Sequence, residues 1–513
     1  MYKSLSSFAV ALFLLLCING YSQPLGNFVK INSTDSYSKI IAKAANVTPS
    51  ERQYKWQTLE LTGFLHFGVN TFTDKEWGTG KEDPAIFNPA KLDAEQWVKT
   101  MHDAGFKQLI ITAKHHDGFC LWPTATTKHS VAASPWKNGK GDVVKEVADA
   151  CKKYGVGFGV YLSPWDMNSE HYGTPHYNDF FVQQLTELLT NYGQVDEVWF
   201  DGAKGEGKDQ VYDFDRWYAL IRKLQPQATI AIMGPDVRWV GTETGVGRTT
   251  EWSVIPADPN LLKNVAAESQ KDVAFAPVGD KRGEDLGSRK KIVEAEGLMW
   301  YPAETDVSIR PGWFYHEAQD SKVKSPVNLM NIYFTSVGRN GVLLLNVPPN
   351  KDGLLSDADV KSLLGFKELY NKTFSKNFAE NAFFYGDNGR MAAAVYDGKY
   401  ETYYTTLAKD TTTTININLR DRHTFDLLSV QENILVGQRI EKFVLEYFDN
   451  NNNWTKLTEG TTVGFKRILM FPQVTAQYLR FRVLSSRLNP TISEIGLYKL
   501  PEVSGEEKFL KEN

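Results

Sequence analysis

The run Val195-Asp196-Glu197-Val198-Trp199-Phe200-Asp201-Gly202 reads as a buried strand that delivers one carboxylate into a loop. Val198, Trp199 and Phe200 form its apolar stretch, and Gly202 breaks it directly after Asp201. A carboxylate beside two large aromatics must be hydrogen-bonded or neutralised, so Asp201 is either a catalytic group or the cap of the following loop. Two other runs supply groups that could work with it. His115-His116-Asp117-Gly118-Phe119 places two imidazoles after a predicted strand, and Phe72-Thr73-Asp74-Lys75-Glu76-Trp77-Gly78 sets a carboxylate beside an indole. A zinc site on His115 and His116 is disfavoured, because neighbours on an extended backbone point to opposite sides and no helical His-x-x-x-His completes a ligand set. No metal is expected. Imidazoles and carboxylates that read hydroxyls, with Trp122, Trp136, Trp165, Trp239, Trp252 and Trp313 near other predicted loops, suit a polyhydroxylated ligand whose apolar ring face stacks on aromatics. The bland alternative is that one of the paired histidines, and most of the tryptophans, serve only packing.

These groups need a frame that brings them together. From Phe64 to about Pro349, short apolar runs alternate with amphipathic stretches, the pattern of parallel strands joined by helices. Strands are predicted at 64–68, 108–113, 156–163, 195–201, 229–233, 237–240, 297–301 and 342–347. Helices are predicted at 93–104, 142–154, 178–192 and 213–224. Eight strands over this length predict an α/β fold of the (β/α)8 barrel type. A doubly wound open sheet is the alternative, but no Gly-rich phosphate loop follows the first strand. His66, His115, His116, Tyr161, Asp201 and Glu243 each fall at or just past a predicted strand's carboxyl end, the face on which a barrel assembles its site. After a helix at 357–370 the texture turns Thr/Asn-rich and alternating, as in Thr413-Ile415-Ile417-Leu419, which predicts a β-sandwich.

The sequence therefore divides into 1–22, 30–370 (barrel), 371–502 (β-sandwich) and a frayed tail, 503–513. Lys3, the apolar run from Phe8 to Ile18 and the small residues Gly20 and Ser22 look like a cleaved signal peptide, which predicts an exported protein, periplasmic or extracellular. Leu16 before Cys17 argues against a lipid anchor. A net charge of −4 for the 513 residues gives no reason to expect nucleic acid, and no later apolar run predicts a membrane span. Cys120 and Cys151 are too few for a disulfide framework.

His66-Phe67-Gly68, Glu76-Trp77-Gly78, His115 to Phe119, Tyr161 and Trp199-Phe200-Asp201-Gly202 occur in the order and texture of the α-L-fucosidases of glycoside hydrolase family 29. The resemblance spans about Thr58 to Pro349. It implies that Asp201 is the nucleophile and that His66, Glu76, Trp77, His115, His116, Tyr161 and Trp199 bind fucose. Gly234 to Glu243, with Thr250-Glu251-Trp252-Ser253, resembles the narrower group acting on α1,3/α1,4-linked fucose of Lewis-type glycans, although that group's usual Gly-Asn-Glu stands here as Gly241-Thr242-Glu243. Glu243 is the expected acid/base and Glu251 the alternative. Retaining hydrolysis needs an ionised Asp201 and a partner carboxyl that keeps its proton, which burial beside Trp239 or Trp252 would favour. Trp313 is expected to meet the C5 methyl of fucose. The partner implied is a fucosylated oligosaccharide, with no cofactor required. The segments 395–403 and 492–498 resemble discoidin-like, galactose-binding-type modules, which bind sugar, hold a structural calcium or pack against the barrel. The alternatives in function are another retaining barrel glycosidase and a fucose-binding protein without turnover.

Overall fold

Leu61–Leu65, Gln108–Lys114 and Val342–Asn346 are buried at every position, the signature of strands covered on both faces. They belong to an eight-stranded, all-parallel, nearly closed barrel in a computed structural model that describes residues 25–503 and 507–510, except 206, 258–282, 388, 390 and 408. The predicted signal peptide lies outside the described residues. Around the barrel the strands run Thr229–Ile232, Glu197–Phe200, Gly157–Leu162, Gln108–Lys114, Leu61–Leu65, Val342–Asn346, Ala303–Ser308 and Arg238–Trp239. Helices Ala94–Asp103, Val143–Tyr154 and Phe214–Leu224 cross outside the sheet, and each starts on an Asp whose carboxylate accepts a backbone N–H of the first turn. Pro326–Ser336 and Asp357–Phe374 start on serines that do the same. Among the described residues no helix is long and apolar enough to cross a membrane.

One predicted barrel strand is misplaced. Gly297–Trp300 is the middle strand of a small antiparallel sheet, between Phe28–Lys30 and Val254–Ala257, outside the barrel. The barrel position belongs to Ala303–Ser308, whose sequence AETDVS carries no apolar run although all six residues are buried. Its polar side chains point into the barrel, where Glu304 Oε1 accepts the indole N–H of Trp199 at 2.8 Å. Glu197 accepts Trp56 Nε1 at 3.0 Å and Gln108 Nε2 at 2.5 Å. Burial raises both carboxyls, Glu197 to about 8, and the neighbouring Glu197 raises Glu304 further, so the barrel interior holds protonated acids.

The sandwich is a seven-stranded antiparallel sheet whose two longest strands, Thr413–Glu432 and Arg467–Ser486, bend at bulges and enclose a second core around Phe425, Phe443 and Phe481. It joins the barrel through buried polar side chains. Gln438 accepts from Ser253 N and donates to the Glu251 carbonyl, and Asn340 donates to the same carbonyl and accepts from Phe465 N. The tail departs from the frayed expectation over residues 507–510: Asn331 donates to the Lys508 carbonyl and accepts from Leu510 N, and Phe509 packs edge-on against Phe334.

Candidate active site

A cavity of about 660 Å³ opens at the carboxyl ends of the barrel strands. His66, Trp77, His115, His116, Tyr161, Trp199, Asp201, Glu243 and Trp313 all line it, so groups separated by up to 247 positions in the chain share one wall. Phe64 lines it too, edge-on to His66, Tyr161, Trp199 and Trp313.

Asp201 is fixed by two donors. Tyr161 donates its hydroxyl to Oδ2 at 3.0 Å, and the backbone N–H of Ala203 reaches Oδ1 at 2.7 Å. Burial, and then the Asp201 charge, hold the Tyr161 hydroxyl far above its ordinary value, so it remains a donor. The Tyr161 ring stacks on Trp199 at 5.3 Å and on His115 at 5.7 Å.

The hydrogen-bond network sets the state of two imidazoles. Asn346 Nδ2 donates to the Trp313 carbonyl, so its Oδ1 is the acceptor for His66 N and for His66 Nδ1 at 2.8 Å. The His66 proton therefore sits on Nδ1, and burial holds the ring neutral, with its pKa at about 4. Ser163 gives its single hydroxyl proton to the Trp165 carbonyl, so it accepts from His116 Nδ1 at 2.7 Å. Burial also lowers His116, against the pull of Asp201, which leaves the Nε2 lone pair 3.8 Å from the Asp201 carboxylate. His115 is lowered well below the ordinary imidazole value by burial and by its two histidine neighbours. Three neutral rings thus face a space that suits hydroxyl groups.

Not every expected residue meets the cavity. Glu76 is absent from its lining; it accepts Trp313 N at 2.8 Å and His316 Nε2 at 2.6 Å, and so pins the loop that carries Trp313. A Cβ at Gly312 would fall 2.1 Å from Glu76 Oε1 and would displace that carboxylate. Glu243 lines the cavity but is exposed, and its indole partner is Trp313 at 3.2 Å rather than Trp239 or Trp252. Glu251 is excluded as a cavity group: it is buried against Arg238 and Arg248 at the seam with the sandwich. The buried carboxyl beside Trp239 is Asp306, which sequence reasoning missed together with Lys204; both line the cavity, as does the expected Trp165. Asp306 sits in the strand that lacked an apolar run, and its alternation with Glu304 was the available signal.

Removing Glu251 leaves the Arg238 guanidinium buried without its carboxylate. Glu251→Ala is expected to cost about 3–5 kcal/mol of stability, measured by denaturant unfolding; an unchanged midpoint would contradict the structural assignment. His316 offers a pH test. Its Nδ1 meets Asp74 Oδ1 at 2.8 Å and its Nε2 meets Glu76. Burial works against its charge, but the two carboxylates outweigh burial and raise its pKa above the ordinary value. Such a group stabilises the fold fully below the unfolded imidazole value of about 6.5, and the contribution fades as pH rises through the higher folded value. The difference in thermal midpoint between wild type and His316→Gln should be widest below about pH 6 and narrow as pH rises above about 7. A constant difference across that range would refute the imidazolium.

Comparison with known proteins agrees with this geometry. Residues 42–371 match the family model described as Alpha-L-fucosidase, and residues 373–496 match the F5/8 type C domain. Alpha-L-fucosidase 1 of Arabidopsis thaliana is 45% identical over 462 residues, covering 88% of this chain and 87% of the relative. A candidate α-L-fucosidase of Bacteroides ovatus superposes with a TM-score of 0.85 at 49% identity, covering 95% of this chain and 80% of that one. A Ruminococcus gnavus family 29 fucosidase, solved in complex with fucose, superposes with a TM-score of 0.78 at 36% identity, covering 89% and 95%. The chain belongs to the α-L-fucosidases, the glycoside hydrolases of family 29, with a barrel catalytic domain followed by an F5/8 type C domain.

Proposed function

We propose that this α-L-fucosidase is a retaining exo-enzyme that removes terminal α1,3/α1,4-linked L-fucose from Lewis-type oligosaccharides or glycoconjugates. The observation that carries the reading is Asp201, held by Tyr161 and Ala203 N in a cavity that also presents Glu243. Asp201 attacks the anomeric carbon while Glu243 gives its proton to the departing glycosidic oxygen, which forms a covalent fucosyl-enzyme. Glu243, now ionised, takes a proton from water, and the resulting attack on the anomeric carbon releases fucose with retained configuration and restores both carboxyls. His66, His115, His116 and Trp199 bind the fucose hydroxyls and ring, Trp77 extends the wall outward, and Trp313 offers its face to the C5 methyl. Support for the linkage class is the resemblance over 234–243 and 250–253, and support for export is the leader-like run at 8–18.

The test is fucose release from Lewis a, Lewis x, 2'-fucosyllactose and nitrophenyl fucoside. Asp201→Ala should lose activity by about 10⁴-fold or more, and Glu243→Ala should be slowed and rescued by azide with formation of fucosyl azide. Inverted product, or release from 2'-fucosyllactose in preference to the Lewis trisaccharides, would overturn the retaining or the linkage assignment respectively.

A structural calcium is proposed for the F5/8 type C domain. Glu494 is raised to about 7 by burial and by the nearby Asp397, and its Oε1 is buried without a partner. Two adjacent acids with no basic side chain paired to either among the described residues fit a hard cation, which takes carboxylates together with backbone carbonyls. Asp397 and Glu494 would hold it and tie the 395–403 loop to the last strand. Calcium should then raise the thermal midpoint of wild type and leave Glu494→Gln unmoved; equal midpoints in calcium and in EGTA would dismiss the site.

A further inference from the structure

In the strand Ala303–Ser308, Glu304, Asp306 and Ser308 alternate toward the barrel axis. Glu304 lies deepest, bonded to Trp199, and Ser308 is tied to Asn346 and to the Gly312 carbonyl. Asp306, between them, is 4% exposed and is the member of this column that lines the cavity. Its Oδ1 accepts Trp239 Nε1 at 2.7 Å, while Oδ2 has no partner on another residue among the described residues.

The cavity is rich in acceptors. His66 and His116 turn bare Nε2 atoms to it, and Asp201 and Glu243 add carboxylates. Three indole donors at or beside the cavity are spent within the protein, Trp199 on Glu304, Trp239 on Asp306 and Trp313 on Glu243, while Trp77, Trp165 and Lys204 line the cavity as well. A sugar presents oxygens that must accept as well as hydroxyls that donate, so a buried sugar needs donors from the wall. Burial pushes the Asp306 carboxyl well above the usual range, and Glu304 and Glu243 push it the same way against the pull of Trp239. With Oδ1 committed as an acceptor, the proton belongs on Oδ2.

We propose that Asp306 is a further substrate-binding residue, a neutral carboxyl whose Oδ2–H donates to an oxygen of the bound L-fucose. The sugar is fucose rather than the leaving group because Asp306 is buried within the barrel mouth, whereas Trp77, 55% exposed, and Glu243 stand at the opening. This deepens the proposed function and rests on it.

L-Fucose binding by titration calorimetry, with kcat and KM for fucose release, is measured for wild type, Asp306→Asn and Asp306→Leu. The amide keeps an acceptor for Trp239 and a donor for the sugar, so Asn should bind fucose within about threefold of wild type, whereas Leu should bind about 10- to 100-fold more weakly. Should Leu fail to fold, infrared difference spectra decide: fucose shifts a protonated-carboxyl band in wild type that Asp306→Asn lacks. Equal binding by Leu, an Asn variant as weak as Leu, an unmoved carboxyl band, or restoration of Asp306→Leu by azide would each overturn the proposal, the last by making Asp306 the acid/base. Wild type that neither binds nor releases fucose would instead sink the functional reading beneath it.

Discussion

The indole N–H of Trp199 donates to Glu304 in the middle of the barrel, and the cavity is assembled on that bond. It fixes the plane of Trp199, Tyr161 stacks on that plane, and the Tyr161 hydroxyl holds Asp201, two residues beyond Trp199 on the same strand. An acceptor this deep can be maintained only if its charge is removed or matched, because an isolated buried carboxylate is costly. Here the charge is removed: burial keeps the protons on Glu304 and Glu197, and Glu197 adds to the effect on Glu304. A protonated acid still accepts through its carbonyl oxygen, so it orients the indole without placing a full negative charge beneath the site. That arrangement also explains why, among the described residues, these two acids are met by indoles and an amide rather than by lysine or arginine.

Most of the cavity was legible because its groups stand where regular elements end. Asp201 closes an apolar run and is followed by a glycine, and His66, His115, His116 and Tyr161 mark strand ends by the same logic. What escaped notice is the polar lining of the barrel itself. AETDVS has the composition of a loop, yet its inward carboxyls are satisfied by indoles contributed from strands far away in sequence. With that strand unseen, GLMW, which does have an apolar run, was given its place. Ion pairing misled too: Glu251 reads as a candidate acid only until Arg238 and Arg248 are seen against it. Glu76 has the right neighbours in sequence but turns to His316 and the Trp313 backbone, partners about 240 positions away that no local pattern could announce.

The neutrality of the histidines follows from the same economy of charge. An imidazolium 3.8 Å from Asp201 would pair with the carboxylate, and an ion-paired oxygen is a poorer nucleophile than one held by a hydroxyl and an amide. Ser163 and Asn346 prevent this by fixing protons on the far nitrogens, and burial lowers both rings. The network thus lets three histidines surround the proposed nucleophile without neutralising it. His316, whose pKa is raised, is set behind the cavity wall, where its two carboxylates consume its charge in positioning a loop. Around the proposed nucleophile the imidazoles are thus kept neutral, and the charged imidazole is set where it fixes the backbone of a loop.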